Sequence, residues 1–558
     1  QMLYTSGDQG EQGERQETVR EIFMRMTRRG LMLGAAAGLS ACASGPTLAQ
    51  ATGQPLTETA QGKVRGLVQS NGVTAFKGMR YATAARFMPP VAPTPWAGIT
   101  DAFDYGDQSP QARGSLAHAT TAMTDDCLRI NVWTPGLDNA RRPVLLWFHG
   151  GGFEAGSGSS SLYDGTRMAR RGDVVVATIN HRLNVFGHCY LGGLLGDEFK
   201  QSGNAGYLDL IAAMKWVREN IASFGGDPGN VMIYGQSGGG RKVSLCYAGR
   251  DAQGLFHKGV VQSGAHLKVQ TPDRANGLTE NLLKELGISK ADARKLQTMD
   301  IETLSTAQRK VIAAAGARFS PMLDGVSFTQ HPFLPEAPSI SSHVPMMLGT
   351  TRTELTNQMG REPGIFDMNE AQAKERLKSF LDEKDIDEAY RTFHASRPQA
   401  NPSEVFFTIV SARGYCRDQT IMAEQRVKAG GRGKTFVYRL MWRQPVEGGR
   451  RVSQHSLDLP FMFDNVAAGE NMTGPDTEQT RAMVDNMANS WIAFARTGDP
   501  NNASIPKWEP YDLARRNTMM FDVPSTAVND PHKAEREFMA RYPSQQDGGV
   551  ALHRQAMD

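Results

Sequence analysis

The sequence predicts an α/β protein in which a large, mostly parallel central sheet is flanked by helices. Residues 230–234 (NVMIY) form a short apolar run rich in β-forming residues, which indicates a buried strand. Residues 203–224 carry apolar side chains at helical spacing, and residues 238–249 can form a second helix. Helices on both sides of a buried strand are typical of a parallel sheet, because parallel neighbours need long crossover connections that usually contain a helix.

Two further apolar runs support the same sheet. Residues 144–148 (VLLWF) end at a glycine-rich turn and residues 174–179 (VVVATI) end at a polar segment, so both indicate buried strands followed by loops. No internal repeat, low-complexity linker or change of composition follows residue 50, and 40% of the residues are hydrophobic. We therefore predict one large domain over residues 50–558.

The charge and the cysteines of the chain exclude several classes of function. The 61 basic and 58 acidic residues give a formal net charge of +3, and the basic residues are scattered, which argues against a nucleic-acid partner. The cysteines beyond residue 49 show no C-x-x-C spacing; they are Cys127, Cys189, Cys246 and Cys416. We therefore predict no metal site and no redox motif.

Residues 1–49 are typical of a targeting segment. Arg28 and Arg29 precede an eleven-residue stretch of small and apolar residues, as in a twin-arginine export signal. This stretch is shorter than the roughly 20 residues that a transmembrane helix needs, so a stable membrane-spanning anchor is not expected. We predict a periplasmic or extracellular protein that is cleaved after Ala49, with a lipid anchor at Cys42 as the alternative.

Ser237 lies in a stretch that favours a nucleophile. Glycines on both sides of this serine, in GQSGGG, allow a sharp turn and remove side chains that could cover the hydroxyl. The motif follows a predicted strand and precedes a predicted helix, which is the context that a nucleophile elbow requires. A glycine-rich surface turn is the alternative, but this context favours catalysis.

Residues 149–152 (HGGG) are candidates for stabilising an oxyanion. They follow the predicted strand at residues 144–148, and the glycines leave backbone N–H groups free to point at a developing negative charge. A tight turn is the alternative. The match to the H-G-G-G pattern favours the oxyanion function.

Two loops beyond Ser237 carry candidates for the acid and the base. In the α/β-hydrolase chain order, an acid and then a histidine follow the serine, each on a loop after a strand. Glu354 follows the apolar run at residues 344–348, and His455 lies in a later loop of the same kind. Asp458 is a competing acid because it is close to His455 in the sequence. A separate loop delivers a carboxylate to Nδ1 more easily while Nε2 faces the serine, which favours Glu354.

Ordered blocks over residues 62–522 resemble the type-B carboxylesterase family, which includes cholinesterases and p-nitrobenzyl esterases. The blocks include TDDCLRINVWTP, FHGGGF, NHRLNVFG, FGGDPGNVMIYGQSGGG, GTTRTEL and HSLDLPFMF. The resemblance implies an α/β-hydrolase fold, a small-molecule ester substrate, and neither cofactor nor metal. It also implies six site residues: Ser237 as nucleophile, Glu354 as acid, His455 as base, and the amides of Gly151, Gly152 and Gly238 as the oxyanion hole.

Two other functions stay open at this point. An amidase or carbamate hydrolase would use the same triad. A binding or adhesion protein would keep the fold without the chemistry, but such relatives usually lack part of the triad, and this chain has all three members.

The sequence departs from the family pattern around the nucleophile and at one cysteine. Gln236 and Gly238 stand where the family usually has glutamate and alanine, and the N–H group of residue 238 is retained. Ser109 replaces the cysteine that usually pairs with the one at Cys127. We therefore predict that Cys127 is not held in the usual disulfide.

Arg241 and Lys242 fall in the first turns of the predicted nucleophile helix, where burial is expected. Removing a cation from water costs several kcal/mol, so each of these side chains needs a partner. One interpretation is a buried carboxylate of the protein. The other is an anionic group of the substrate near the scissile ester.

Overall fold

The computed structural model describes residues 54–112, 114 and 120–546, and the predicted export signal lies outside the described residues. The assignment of residues 50–558 to one domain stays a prediction. The strands are β1 Leu56–Thr59, β2 Gly62–Arg65, β3 Leu67–Val68, β4 Thr74–Arg80, β5 Ile99–Asp101, β6 Arg129–Thr134, β7 Arg142–Phe148, β8 Val175–Ile179, β9 Gly226–Gln236, β10 Lys258–Gln262, β11 Met346–Thr351, β12 Thr435–Leu440, β13 Asn517–Phe521 and β14 Thr526–Asn529.

Most of these strands form one large sheet. An 11-stranded sheet has the order β14-β13-β12-β11-β10-β9-β7-β8-β6-β4-β3, and β1, β2 and β5 form a separate 3-stranded sheet. Neighbours from β8 through β7, β9, β10, β11 and β12 to β13 pair in parallel. The pairs at the two ends are antiparallel. The prediction of a large, mostly parallel sheet is confirmed.

Helices connect the strands and cover the sheet. They are α1 Thr166–Gly172, α2 Asn184–His188, α3 Gly192–Leu195, α4 Ala205–Asn220, α5 Gly238–Ala248, α6 Pro272–Glu285, α7 Ile301–Ala315, α8 Thr356–Met359, α9 Glu370–Leu377, α10 Ile386–Ala395, α11 Pro402–Ser411, α12 Arg417–Lys428, α13 Asp458–Met462, α14 Glu470–Thr473, α15 Glu478–Thr497 and α16 Lys533–Met539. In the part of the chain that the structure describes, no helix is both long and apolar enough to cross a membrane.

Strand β7 shows why its sequence is a continuous apolar run. Successive side chains of a strand point to opposite faces of the sheet. Val144 and Leu146 enter one hydrophobic cluster together with Met214 of α4. Leu145 enters a second cluster with Trp491 of α15. Because helices bury both faces, no polar side chain alternates with the apolar ones.

The strands that carry the candidate site residues end at one edge of the sheet. β7 precedes the HGGG segment, β9 precedes Ser237, β11 precedes Glu354 and β12 precedes the loop to His455. Parallel neighbours place their carboxyl ends at the same edge, and β7, β9, β10, β11 and β12 are consecutive in the sheet. The topology therefore collects all the candidates at this carboxyl edge.

Candidate active site

Ser237 lies on a tight turn between β9 and α5. Its backbone has φ 57° and ψ −122°, a conformation that is rare for a residue with a side chain. Its N–H group donates to the carbonyl of Gln262 at 2.7 Å, which fixes the turn. A Cβ atom on Gly235 would lie 2.4 Å from the backbone of Gly239, so glycine is needed where the chain reverses. The strand, turn and helix predicted around Ser237 are confirmed.

Glu354 and His455 meet across two neighbouring loops. His455 Nδ1 lies 2.5 Å from Glu354 Oε2. The loops run side by side because β11 and β12 are parallel neighbours, and Thr353 donates its N–H group to the carbonyl of Ser453 at 3.1 Å. Glu354 is fully buried, where a charge-assisted hydrogen bond from the imidazole is stronger than it would be in water. The residues that the sequence offers as acid and base are therefore in direct contact.

Asp458, the competing carboxylate, faces other partners. Its Oδ2 accepts hydrogen bonds from Gln262 Nε2 at 2.7 Å and from the Tyr438 hydroxyl at 3.2 Å. Burial raises the pKa of Asp458 to about 6. Among the described residues, no hydrogen bond joins Asp458 to His455. Its nearness in the sequence does not become a contact with the imidazole.

Ser263 and Thr351 hold the second oxygen of Glu354. Oε1 accepts from the Ser263 hydroxyl at 2.7 Å and from the Thr351 N–H group at 2.8 Å. Sequence reasoning does not identify Ser263, although it directly follows β10 at the same edge of the sheet, and that position is the available signal. With both oxygens occupied, the carboxylate presents one fixed direction to the imidazole.

The second ring nitrogen of His455 faces Gln236. Since Nδ1 donates to Glu354, Nε2 of the neutral imidazole carries the lone pair. Gln236 Nε2 lies 3.1 Å from it. No hydrogen bond within the described ranges joins Ser237 Oγ to the ring. Catalytic hydrogen bonds often tighten only when substrate is bound, so this geometry is compatible with His455 as the candidate base.

The two glycine segments approach each other closely. Gly151 and Gly152 have φ 88° and 64°, in the left-handed region that favours glycine. A Cβ atom on Gly238 would lie 2.2 Å from the carbonyl oxygen of Gly152 and 2.3 Å from its nitrogen. This contact explains why glycine, not alanine, occupies position 238. It also gathers backbone N–H groups from both segments, as an oxyanion hole needs.

Lys242 binds the start of the HGGG segment. Its Nζ donates to the carbonyl of His149 at 2.9 Å and lies 5.8 Å from the centre of the Phe153 ring. Burial, with a smaller contribution from Arg241, lowers the pKa of Lys242 to about 7. The interpretation as a partner of a buried carboxylate is therefore wrong for Lys242, because its acceptor is a backbone carbonyl.

Arg241 lacks such an acceptor. It is half-buried, and among the described residues no hydrogen bond reaches its side chain and no carboxylate lies within 4.0 Å of its guanidinium. Burial lowers its pKa, and Asp418 acts on it only at longer range. The Oδ2 atom of Asp418 instead accepts a hydrogen bond from Gln546 at 2.6 Å. A buried ion pair does not explain Arg241 either.

Two other polar residues share the surroundings of Arg241, and together with it we call them the Arg241 cluster: Arg241, His266 and Arg318. Arg318 forms an ion pair with Glu154 at 2.9 Å. Both ring nitrogens of His266 are buried without a hydrogen-bond partner in the described part of the chain, and burial keeps its pKa far below the ordinary value. Sequence reasoning does not identify His266 or Arg318.

The Arg241 cluster adjoins His455 and the HGGG segment. Arg241 and Arg318 both interact electrostatically with Tyr415, whose ring centre lies 5.1 Å from that of His455. Arg318 Nη1 lies 3.7 Å from the position of a Cβ atom on Gly152. The cluster is therefore next to the place where an ester would react.

Comparisons with known proteins identify the family of this chain. The sequence model of the carboxylesterase family matches residues 53–539. The chain belongs to the carboxylesterase family. Para-nitrobenzyl esterase of Bacillus subtilis (strain 168) is 32% identical over 495 residues, which cover 86% of this carboxylesterase and 98% of that protein. Phenmedipham hydrolase of Pseudarthrobacter oxydans is 29% identical over 483 residues, with 82% and 93% covered.

Solved structures extend the similarity to three dimensions. A carboxylesterase of Geobacillus stearothermophilus has a TM-score of 0.75 and 33% identity, covering 87% of this chain and 99% of that one. An esterase of Clostridium hathewayi, described as able to hydrolyse aliphatic aromatic polyesters, has a TM-score of 0.76 and 33% identity, covering 87% and 98%. The predicted α/β-hydrolase fold and the class of carboxylic ester hydrolase are confirmed.

The cysteine prediction also holds in the structure. Cys127, Cys189, Cys246 and Cys416 are free and buried among the described residues. Burial raises the pKa of the Cys127 thiol, and the Ser109 hydroxyl acts on it in the opposite direction. A serine thus occupies the place of the usual disulfide partner.

Proposed function

We propose that this carboxylesterase cleaves its substrate through an acyl-enzyme on Ser237, with His455 as base and Glu354 as acid. One observation carries the proposal: the 2.5 Å contact of His455 Nδ1 with Glu354, at the sheet edge where Ser237 occupies its strained turn. A positively charged imidazole forms during the reaction, and a buried carboxylate on Nδ1 stabilises it without reorganisation.

In the first half of the reaction, His455 Nε2 takes the proton of Ser237 while Oγ attacks the ester carbonyl. The oxyanion that forms accepts hydrogen bonds from the amides of Gly151, Gly152 and Gly238. When it collapses, the bond to the alcohol oxygen breaks and the Nε2 proton passes to that oxygen. In the second half, His455 deprotonates a water that attacks the acyl carbon. When this second oxyanion collapses, the bond between Ser237 Oγ and the acyl group breaks and the Nε2 proton passes to Oγ. Ester and water thus give acid and alcohol.

Covalent labelling tests the assignment of the nucleophile. We expect a sulfonyl fluoride or an organophosphate to inactivate the enzyme irreversibly, with the adduct mapped to Ser237 by mass spectrometry. Ser237→Ala should be inactive and unlabelled while remaining folded. An adduct on another serine would overturn the assignment.

A second candidate reaction uses the same triad on amides or carbamates. It is favoured by the relative that is named a phenmedipham hydrolase. A matched ester and amide with one acyl group separate the two. We expect a much higher kcat/KM for the ester, because alkoxide leaves more readily than amine. An equal or higher kcat/KM for the amide would reverse the proposal.

We further propose that the substrate carries a carboxylate, or a similar anion, near the scissile ester. A half-buried guanidinium without an acceptor has lost part of its hydration without replacing it, and a charge-assisted hydrogen bond would restore that loss. The His266 ring nitrogens offer a further donor beside it. Because Arg318 already has Glu154 as its counter-ion, Arg241 supplies one uncompensated charge, which suits a single carboxylate.

A pair of esters tests this substrate class. One is the aryl ester of a short dicarboxylic acid with its second carboxyl free, and the other carries that carboxyl as a methyl ester. We expect the aryl bond of the charged ester to be cleaved with about 10- to 100-fold higher kcat/KM, the worth of one hydrogen bond between charged groups. A preference for the methylated ester would refute the anion site without touching the assignment of Ser237.

We also propose export by the twin-arginine route, supported by Arg28 and Arg29 before the weakly apolar stretch. Replacing both arginines by lysine should retain the precursor in the cytoplasm, and unchanged export would reject the route. The N-terminus of the mature protein distinguishes cleavage after Ala49 from lipidation of Cys42.

A further inference from the structure

Gln236 connects the oxyanion side of the site with the base. It is the last residue of β9, its side chain is buried, and it precedes Ser237 directly. Its Nε2 lies 3.1 Å from His455 Nε2, and its Oε1 lies 3.4 Å from the position of a Cβ atom on Gly150. The amide therefore lies between the HGGG segment and the imidazole.

The direction of this hydrogen bond follows from the other side of the ring. Glu354 can only accept, so Nδ1 carries the proton and Nε2 of the neutral ring can only accept. The Gln236 amide nitrogen can only donate. The contact is thus a hydrogen bond to the unprotonated form of the base, and a hydrogen bond to one protonation state favours that state.

The same contact becomes unfavourable once the base has taken the proton of Ser237. An Nε2–H group would then face an N–H group of Gln236, two donors with no acceptor between them. The ring relieves this conflict by giving its proton to the alkoxide of the leaving group, or the amide must rotate to present Oε1. A glutamate at this position, which only accepts, would instead favour the protonated ring.

We propose that Gln236 is a positioning residue whose amide donates to Nε2 of the neutral His455 ring, and that this contact sets the acid limb of the pH profile of the esterase. The proposal rests on the assignment of His455 as base. Gln236 is also the position at which this chain carries an amide, whereas the carboxylesterase family usually has a glutamate there.

The pH profile of kcat/KM on a neutral aryl ester tests the proposal. In Gln236→Glu we expect the midpoint of the acid limb to rise by more than about one pH unit, because a buried carboxylate favours the imidazolium. In Gln236→Met, which keeps the length but removes the donor, we expect a rise of about 0.4 to 1 unit, the worth of one net hydrogen bond. The matched control is Gln372→Glu on the exposed first turn of α9, where the new carboxylate can keep the capping box and should leave the limb unchanged.

An acid limb that stays in place in both Gln236 variants would overturn the proposal. So would a shift in Gln236→Glu alone, because it would report only the added charge and not the lost donor. Labelling of Ser237 by an organophosphate is measured in each variant to confirm a folded site. If wild type is not labelled at Ser237, the proposed mechanism fails instead, so the two failures are distinguishable.

Discussion

Two groups of polar side chains adjoin Ser237, and they differ in whether their atoms have partners. Both oxygens of Glu354 and both ring nitrogens of His455 are hydrogen-bonded. In the Arg241 cluster, both ring nitrogens of His266 are buried without a hydrogen-bond partner, and no hydrogen bond reaches the half-buried Arg241 side chain, within the described residues. Polar atoms inside a protein normally have hydrogen-bond partners. We therefore interpret the hydrogen-bonded group as a rigid arrangement suited to catalysis, and the group that lacks partners as a position where a ligand binds.

The largest loss of activity is expected for the hydrogen-bonded pair of Glu354 and His455. Glu354→Gln should lower kcat by roughly 10³ to 10⁴, because the amide no longer fixes the tautomer or stabilises the imidazolium. Asp458→Asn is the matched control, since this buried carboxylate has other partners, and it should cost at most about tenfold. The kcat and KM of both folded variants on a neutral ester are the measurement. A crippled Asp458→Asn beside a nearly normal Glu354→Gln would show that the acid is assigned wrongly.

Gly238→Ala probes the contact between the two glycine segments. The new Cβ atom would lie 2.2 Å from the Gly152 carbonyl oxygen, so the HGGG segment must move away. We expect kcat to fall by about 10² to 10³, as when one oxyanion donor is lost. Gly277→Ala in α6, where a Cβ atom meets nothing within 4 Å, is the control and should leave kcat unchanged. Normal kcat in Gly238→Ala would show that the HGGG segment accommodates the new Cβ atom, and that the close contact of Gly238 with Gly152 is not needed for catalysis.

Arg241→Met tests whether the Arg241 cluster binds the anionic group of the substrate. We expect KM for the charged ester to rise by about 10- to 100-fold, because a hydrogen bond between charged groups is lost, while the neutral ester is hydrolysed as before. Arg250→Met removes one exposed cation just beyond α5 and should change neither. Equal losses on both esters would indicate a structural role for Arg241.

Lys242 contrasts with its neighbour because it already has an acceptor inside the protein. Its pKa falls from 10.5 to about 7 on folding, mainly through burial. The cost of holding the buried ammonium is therefore full below about pH 7 and declines as the pH rises toward 10.5. The free energy of unfolding of Lys242→Met minus that of wild type should therefore be largest near pH 6. Above pH 7 this difference should shrink by up to about 1.4 kcal/mol per pH unit. Urea unfolding of both proteins at pH 6, 8 and 10 checks the trend, and a constant difference would contradict it.

The sequence predicts the fold and the hydrogen-bonded pair well, for local reasons. A buried parallel strand is an apolar run, a nucleophile turn needs glycine, and strands that end in chemically active loops align at one edge. These signals lie within a few residues of Ser237, Glu354 and His455. The sequence therefore predicts these three residues as site candidates before the fold is known.

The remaining site residues depend on contacts between distant segments. Ser263 reaches Glu354 across 91 positions, and Gln236 reaches His455 across 219. Such contacts are fixed by strand register and loop packing, which no short pattern encodes. Lys242 shows the same limit: its burial follows from the helix, but its acceptor, the His149 carbonyl, lies 93 positions away and is part of the backbone.

The most direct test measures one ratio, kcat/KM for the charged ester divided by kcat/KM for its methylated partner, in Glu354→Gln and in Arg241→Met. It asks whether Glu354 and His455 perform the chemistry while the Arg241 cluster selects the substrate. Glu354→Gln should keep the wild-type ratio although both rates fall by about 10³ or more. Arg241→Met should bring the ratio close to one while the rate on the neutral ester stays normal. A ratio that collapses in Glu354→Gln, or survives in Arg241→Met, would contradict this division of the site.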